Sequence, residues 1–255
     1  MRQADIDLAH ALADAAGAAI RPFFRARFEI ETKEDASPVT QADRAAEAAI
    51  RAILEVERST DGIIGEEYGN TREGADRLWV LDPIDGTRSF IAGRPIFGTL
   101  IALIEGGVPV LGVIDQPISG ERWIGATGHP TLLNGTAVHT RACATLGNAH
   151  LATTGPRLFA DDEKAAFDRL SDASRDTLWG GDCYNYGLLA AGHLDLVAEA
   201  GLKLYDLAAL VPVVEGAGGV MRDWTGAPLT RDSAGQVIAV GDPRMLDAAL
   251  ETLRV

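Results

Sequence analysis

The chain has 255 residues and a formal net charge of −14, from 23 basic and 37 acidic side chains. It is long enough to bury a sizeable core, but its charge argues against nucleic acid, whose affinity comes largely from Lys/Arg contacts to phosphate. Two cysteines, Cys143 and Cys183, cannot make a disulfide framework and point to a reducing cytoplasm; no apolar run reaches membrane-spanning length, and Met1-Arg2-Gln3-Ala4-Asp5 lacks a signal-peptide pattern.

In chain order, Leu8, Leu12, Ala15, Ala19 and Phe23 fall on one helical face, which predicts an amphipathic helix over residues 5–28. Pro22 should bend or tighten its last turn. A polar loop follows at 33–38. Thr40-Gln41-Ala42-Asp43 reads as a capped helix start, and the Ala-rich run to Val56 turns Ala46, Ile50 and Ile53 inward. The short apolar run 78–81 reads as a buried strand that delivers Asp82 and Asp85 at its end. Pro83 fixes the backbone between them, and Gly86 allows dihedrals a side chain would forbid. Residues 97–104 and 108–114 read as strands around a tight turn at Gly106-Gly107, with 122–126 as another. The second half begins near Thr136, after the turn signal Asn134-Gly135, and alternates helices with apolar runs such as 194–198 and 237–240. Asp206 stands at the cap position ahead of a helix over 207–215, which contains Pro212 and ends at 216–219.

Hard divalent cations take clustered oxygen ligands, and a rigid turn bearing two carboxylates supplies them. Taken alone, Asp82-x-x-Asp85 reads more readily as a strand end followed by a turn with two solvated acids. Other chemistries fit poorly: there is no G-x-S-x-G elbow, Walker A loop or H-E-x-x-H helix. The spacing of Asp82 and Asp85 is also wrong for a D-x-D nucleophile pair. The run Glu215-Gly216-Ala217-Gly218-Gly219 follows a helix rather than a strand, so it reads as a helix end and not a dinucleotide loop.

The wider context is more specific. Trp79-Val80-Leu81-Asp82-Pro83-Ile84-Asp85-Gly86-Thr87 resembles the W-x-x-D-P-[ILV]-D-G-T signature of the inositol monophosphatase superfamily. Ile64-Gly65-Glu66-Glu67 is similar to its G-E-E element. Tyr205-Asp206-Leu207-Ala208-Ala209 is similar to its W-D-x-A-A element, with tyrosine in place of tryptophan. The resemblance covers essentially the whole chain. It implies an α/β (α+β) fold, a layered αβαβα sandwich of the inositol monophosphatase and fructose-1,6-bisphosphatase type. One domain, 1–255, would have two halves: 1–135, with helices and an antiparallel sheet carrying most metal ligands, and 136–255, carrying Asp182, Glu199 and Asp206.

The resemblance further implies a Mg²⁺-dependent phosphate monoester hydrolase, with two or three Mg²⁺ per site and direct attack by water. Bound cations would reconcile an acidic chain with an anionic substrate. Glu66, Asp82 and the Ile84 carbonyl would hold one ion and Asp82, Asp85 and Asp206 a second, with Glu66 helping to hold a third. Asp43 and Thr87 match the pair that orients and deprotonates the water. Backbone N–H groups of Gly86 and Thr87, beside Arg88, would grip phosphate. Lys33 matches a mobile-loop lysine.

Two features bear on the substrate. Asp182 stands where inositol phosphatases carry a small residue, and Glu199 matches a position that contacts substrate hydroxyls. Two carboxylates facing the organic group suit a cationic substrate. Thr87-Arg88-Ser89-Phe90, Asp115-Gln116-Pro117, Gly120-Glu121-Arg122-Trp123 and Gly180-Gly181-Asp182-Cys183-Tyr184 resemble the histidinol-phosphatase branch. The expectation is a cytoplasmic, homodimeric histidinol-phosphate phosphatase of histidine biosynthesis. The alternatives are an inositol-phosphate or broad sugar-phosphate phosphatase, and an idle binding module on the same fold.

Overall fold

Helix α1, Gln3–Ile20, buries Leu8, Ala9, Leu12, Ala13, Ala16, Gly17 and Ile20. This face is rotated from the expected one, leaving Ala15 and Ala19 half-buried. Small side chains at Ala13, Ala16 and Gly17 permit close approach, and a Cβ at Gly17 would stand 3.2 Å from Pro117. The helix stops eight residues before the predicted end, because Pro22 enters a 3-10 turn over Arg21–Phe23. The computed structural model describes residues 2–26, 30–32 and 38–254; the rest of the predicted helix, 27–28, and Lys33 lie outside them. Helix α2, Gln41–Glu57, buries Ala42, Asp43, Ala46, Glu47, Ile50 and Leu54. Leu54 is buried beside Ile50, Ile53 packs partly buried against the same core as expected, and two carboxylates share that face.

Strands β1 (Ile30–Thr32) and β2 (Pro38–Thr40) form an antiparallel pair. The large sheet comprises β3 (Gly62–Gly65), β4 (Gly69–Thr71), β5 (Arg77–Asp85), β6 (Gly98–Glu105), β7 (Val108–Gln116), β8 (Glu121–Ala126), β9 (His129–Leu133) and β10 (Thr136–Ala137). Their order is β10-β9-β8-β7-β6-β5-β3-β4, and only the β3–β5 pairing is parallel. Helix α3, Thr87–Ile91, follows β5. The small sheet contains β11 (His150–Thr153), β12 (Asp176–Trp179), β13 (Leu196–Glu199), β14 (Val220–Arg222) and β15 (Val237–Val240), in the order β12-β11-β13-β15-β14. The remaining helices are α4 (Asp161–Ala173), α5 (Tyr184–Ala190), α6 (Leu204–Leu207), α7 (Leu210–Gly216) and α8 (Leu246–Leu253).

These elements stack as α1 and α2, the large sheet, α5–α7, the small sheet, then α4 and α8. The fold is an αβαβα sandwich of the α/β class. Each interlayer gap has its own apolar core: Leu12, Ile50 and Trp79 in the first, Trp123, Leu189 and Val213 in the second, Phe167, Ile238 and Leu250 in the third. Burying such side chains drives the stacking, at roughly 1.5–3 kcal/mol for each large apolar group. No helix among the described residues is long and apolar enough to cross a membrane.

The expected helix over 207–215 is instead two short ones. Pro212 has no N–H to return to the Ala208 carbonyl, so the helix breaks and restarts with Pro212 in the first turn of α7, where a missing donor costs nothing. Asp206 therefore lies inside α6 rather than ahead of a helix, and its carboxylate caps the Lys203 N–H at 2.6 Å. Beneath this break the large sheet carries Gly112 and Gly125, paired across β7 and β8. A Cβ on Gly112 would stand 1.9 Å from the Ala209 carbonyl oxygen, and one on Gly125 2.1 Å from that of Pro212. The helix backbone thus rests directly on the sheet, which sets how far Asp206 stands from β5. The run after α7 ends the helix as expected, with Gly218 at φ +97°.

Candidate active site

The site begins at an irregularity in a buried strand. β5 runs through both aspartates instead of stopping before them, but its pairing with β6 slips between Asp82↔Leu100 and Asp85↔Gly98. A bulge of this kind re-aims side chains. Thr99 Oγ1 donates to the Pro83 carbonyl at 2.8 Å and pins the irregular turn. Asp82, with 2% of its surface exposed, accepts from the Ile84 N–H at 3.1 Å, and Asp85 accepts from the Cys183 N–H at 2.6 Å. The chain then leaves through Gly86, at φ +86°, into α3.

Carboxylate oxygens of Asp82, Asp85 and Asp206 lie within 4.8 Å of one another. Such crowding is costly for three like charges. Burial, and then Glu66 and the neighbouring aspartates, push Asp82 well above the usual carboxylate range. Burial, followed by Asp182 and Asp206, does the same to Asp85. Burial first, then Glu66, raises Asp206 to about 6, against the Lys203 N–H that favours its charged form. All-oxygen donors held in mutual repulsion are the donor set of a hard divalent cation, so these residues fit Mg²⁺.

A cavity of about 660 Å³ opens over the cluster, lined by Glu66, Asp82, Ile84, Asp85, Gly86, Thr87, Arg88 and Asp182 among others. Asp182, at φ +47°, leans over Gly86 from the opposite side; a Cβ at Gly86 would stand 2.8 Å from its Cγ. Ser89 donates to Asp182 Oδ2 at 2.8 Å. Burial raises the Asp182 carboxyl, opposed by Ser89, Arg94 and Arg88. Glu199 sits elsewhere. It is buried beside an adjoining cavity of about 150 Å³ that also touches Asp85, Asp182 and Asp206. Its oxygens accept from the Thr154 N–H at 2.9 Å and the Tyr186 hydroxyl at 2.8 Å.

Asp43 is fully buried at the start of α2, where its Oδ2 takes the Thr40 N–H at 2.9 Å. Burial raises it to about 6, in spite of the Thr40 hydrogen bonds. Its Oδ1 has no hydrogen-bond partner among the described residues. Thr87 donates its hydroxyl to the Ile84 carbonyl at 3.2 Å, not to Asp43. Ser89, Arg94, Arg157 and Lys203 also line the large cavity, and the sequence reading assigned them no role. Ser89 lies within a quoted run, but nothing local marks its partner; the arginines carry no signal distinguishing them from solvated charge.

An αβαβα sandwich with a carboxylate cluster at a bulged strand end, beneath an open cavity, is the frame of a metal-using phosphatase. The family model for the inositol monophosphatase family matches residues 1–254. The chain belongs to that family, whose enzymes use Mg²⁺. It is 50% identical over 253 residues to the chloroplastic bifunctional phosphatase IMPL2 of Arabidopsis thaliana, covering 96% of this chain and 73% of that protein. It is 39% identical over 238 residues to the histidinol-phosphatase of Streptomyces coelicolor, covering 88% of each. A solved inositol monophosphatase from Zymomonas mobilis superposes with a TM-score of 0.92 at 59% identity, covering 99% of this chain and 98% of that one.

Proposed function

We propose that the protein is a cytoplasmic Mg²⁺-dependent histidinol-phosphate phosphatase of histidine biosynthesis, acting by direct attack of water. The observation that carries this reading is Asp182, a carboxylate lining the same cavity as the metal-type cluster and tied to α3 by Ser89. Histidinol phosphate brings an ammonium and an imidazole, each able to pair with that carboxylate. Similarity to histidinol-phosphatases supports it. The 59% identity to an inositol monophosphatase favours a second reading, an inositol-phosphate phosphatase.

Glu66, Asp82, the Ile84 carbonyl, Asp85 and Asp206 would hold the ions. Bound Mg²⁺ supplies positive charge against the phosphoryl oxygens and acidifies water. The chain does the rest. The Thr87 hydroxyl already donates to Ile84, so it offers lone pairs that orient the attacking water. Asp43 Oδ1 takes the proton, on a carboxyl that burial has made a better base. The N–H groups of Gly86 and Thr87 hold the phosphate, with Arg88 beside them.

The test is a comparison of histidinol phosphate and inositol 1-phosphate on the wild-type protein and on Asp182→Ala. Loss of a charge-assisted contact of about 1.5–3 kcal/mol should cost histidinol phosphate about one to two decades in kcat/KM. The polyol phosphate should lose much less. Equal losses for both substrates, or wild-type preference for inositol 1-phosphate, would reject the histidinol assignment.

A further inference from the structure

Glu47 lies one helical turn beyond Asp43 on the buried face of α2 and is completely shielded from solvent. A buried carboxylate needs partners, and this one finds them in the hairpin that carries Glu66. β3 and β4 close on the pair Gly65↔Gly69, leaving Glu66, Glu67 and Tyr68 as a three-residue loop. Glu47 Oε2 accepts the Glu67 N–H at 2.8 Å, and its Oε1 accepts the Tyr68 N–H at 3.2 Å. Arg51 Nε donates to Oε1 at 2.7 Å, while the same guanidinium reaches the Gly69 carbonyl and the Thr71 hydroxyl. From the other side, the Glu66 N–H donates to the Leu81 carbonyl, one residue before Asp82. Gly65 leaves the room this requires, since a Cβ there would stand 2.1 Å from Glu47 Oε1.

We infer that Glu47, backed by Arg51, is a positioning residue for the metal site: it fixes the loop whose Glu66 carboxylate faces Asp82, and thereby sets Mg²⁺ affinity. It touches neither substrate nor the acid cluster; it acts through the two backbone amides that flank Glu67. Carboxylate chemistry is what the position demands. Two N–H groups and a guanidinium all donate to it, so an amide would turn an NH₂ against at least one donor. The inference rests on Glu66 being a Mg²⁺ ligand.

The experiment is a calorimetric titration of Mg²⁺ into the metal-free full chain, alongside the Mg²⁺ requirement for turnover and the melting temperature. For Glu47→Gln, Mg²⁺ affinity should fall about 10–100-fold, the usual loss when an outer support of a ligand is removed. Excess Mg²⁺ should recover most of the turnover, and substrate KM at saturating Mg²⁺ should stay as in wild type. Arg51→Gln should shift affinity the same way by less, and it decides alone if Glu47→Gln does not fold. Folded variants with wild-type Mg²⁺ affinity, whatever their melting temperature, overturn the inference. A wild-type protein that binds no Mg²⁺ overturns the metal reading of Glu66 together with it.

Discussion

Asp82 shows most sharply how a side chain proposed for the metal site acts against the fold. Its carboxylate is almost fully buried among Glu66, Asp85 and Asp206, and burial together with those like charges holds it well above the usual carboxylate range. Asp82→Asn keeps an oxygen for the Ile84 N–H and removes one of the repelling charges. The metal-free variant should therefore melt higher than metal-free wild type, while its turnover falls nearly to zero and Mg²⁺ fails to restore it. A variant that loses stability as well as activity would make Asp82 a structural acid. Residues of this kind were legible in the sequence to different degrees. Asp82 and Asp85 share one short turn, so their proximity follows from the chain itself. Glu66, Asp206 and Asp43 came only through resemblance, because no local pattern says that distant acids converge. Glu47 escaped notice because its pairing with Arg51, at helical spacing, looks like any surface ion pair, while the backbone amides it holds lie about twenty residues further along the chain.

Among the elements, the break between α6 and α7 matters most. The predicted segment and its terminating glycines agree with the structure, but the sequence pattern places Pro212 inside one continuous helix. The backbone contact with Gly112 and Gly125 explains the difference, since it favours a broken helix lying close to the sheet. It was illegible in advance because a glycine in a strand pattern does not name what approaches it. The phase error in α1 has a related cause: alanines on two adjacent stripes satisfy the periodicity equally, and tertiary packing chooses. The short strands β9 and β10 carry too little apolar pattern to register. A Gly112→Ala substitution should push the Ala209 carbonyl outward, costing about 1–3 kcal/mol of overpacking. It should also weaken Mg²⁺ binding, because α6 moves with that carbonyl. Urea unfolding and calorimetry would measure the two effects; a stability loss with unchanged Mg²⁺ affinity would show that Asp206 is placed by other contacts.

At the scale of the whole molecule, the acid cluster ties stability to pH. Asp206 has a folded pKa of about 6 against an ordinary 3.8, and burial with like-charged neighbours raises Asp82 and Asp85 well above the usual carboxylate range too. Carboxyls with raised folded values bind more protons folded than unfolded. Their contribution is therefore full below about pH 4 and is lost as the pH climbs through about 6 and beyond. Mg²⁺ competes with those protons. Its effect on the melting temperature should accordingly be larger at about pH 7 than at about pH 5, read by thermal scans with Mg²⁺ or with chelator. An equal increment at both values would mean that other groups take up the metal. The placement of the cluster has a mechanical corollary. Asp82 and Asp85 belong to the large sheet, while Asp206 belongs to the helical layer lying on it, so a cation held by all three would fasten the seam between two layers. Peeling the helices away then means surrendering the ion. Amide protons of α6 and α7 should exchange with solvent far more slowly once Mg²⁺ is bound, whereas any local fraying of α4 and α8, on the far face of the small sheet, should not respond to it.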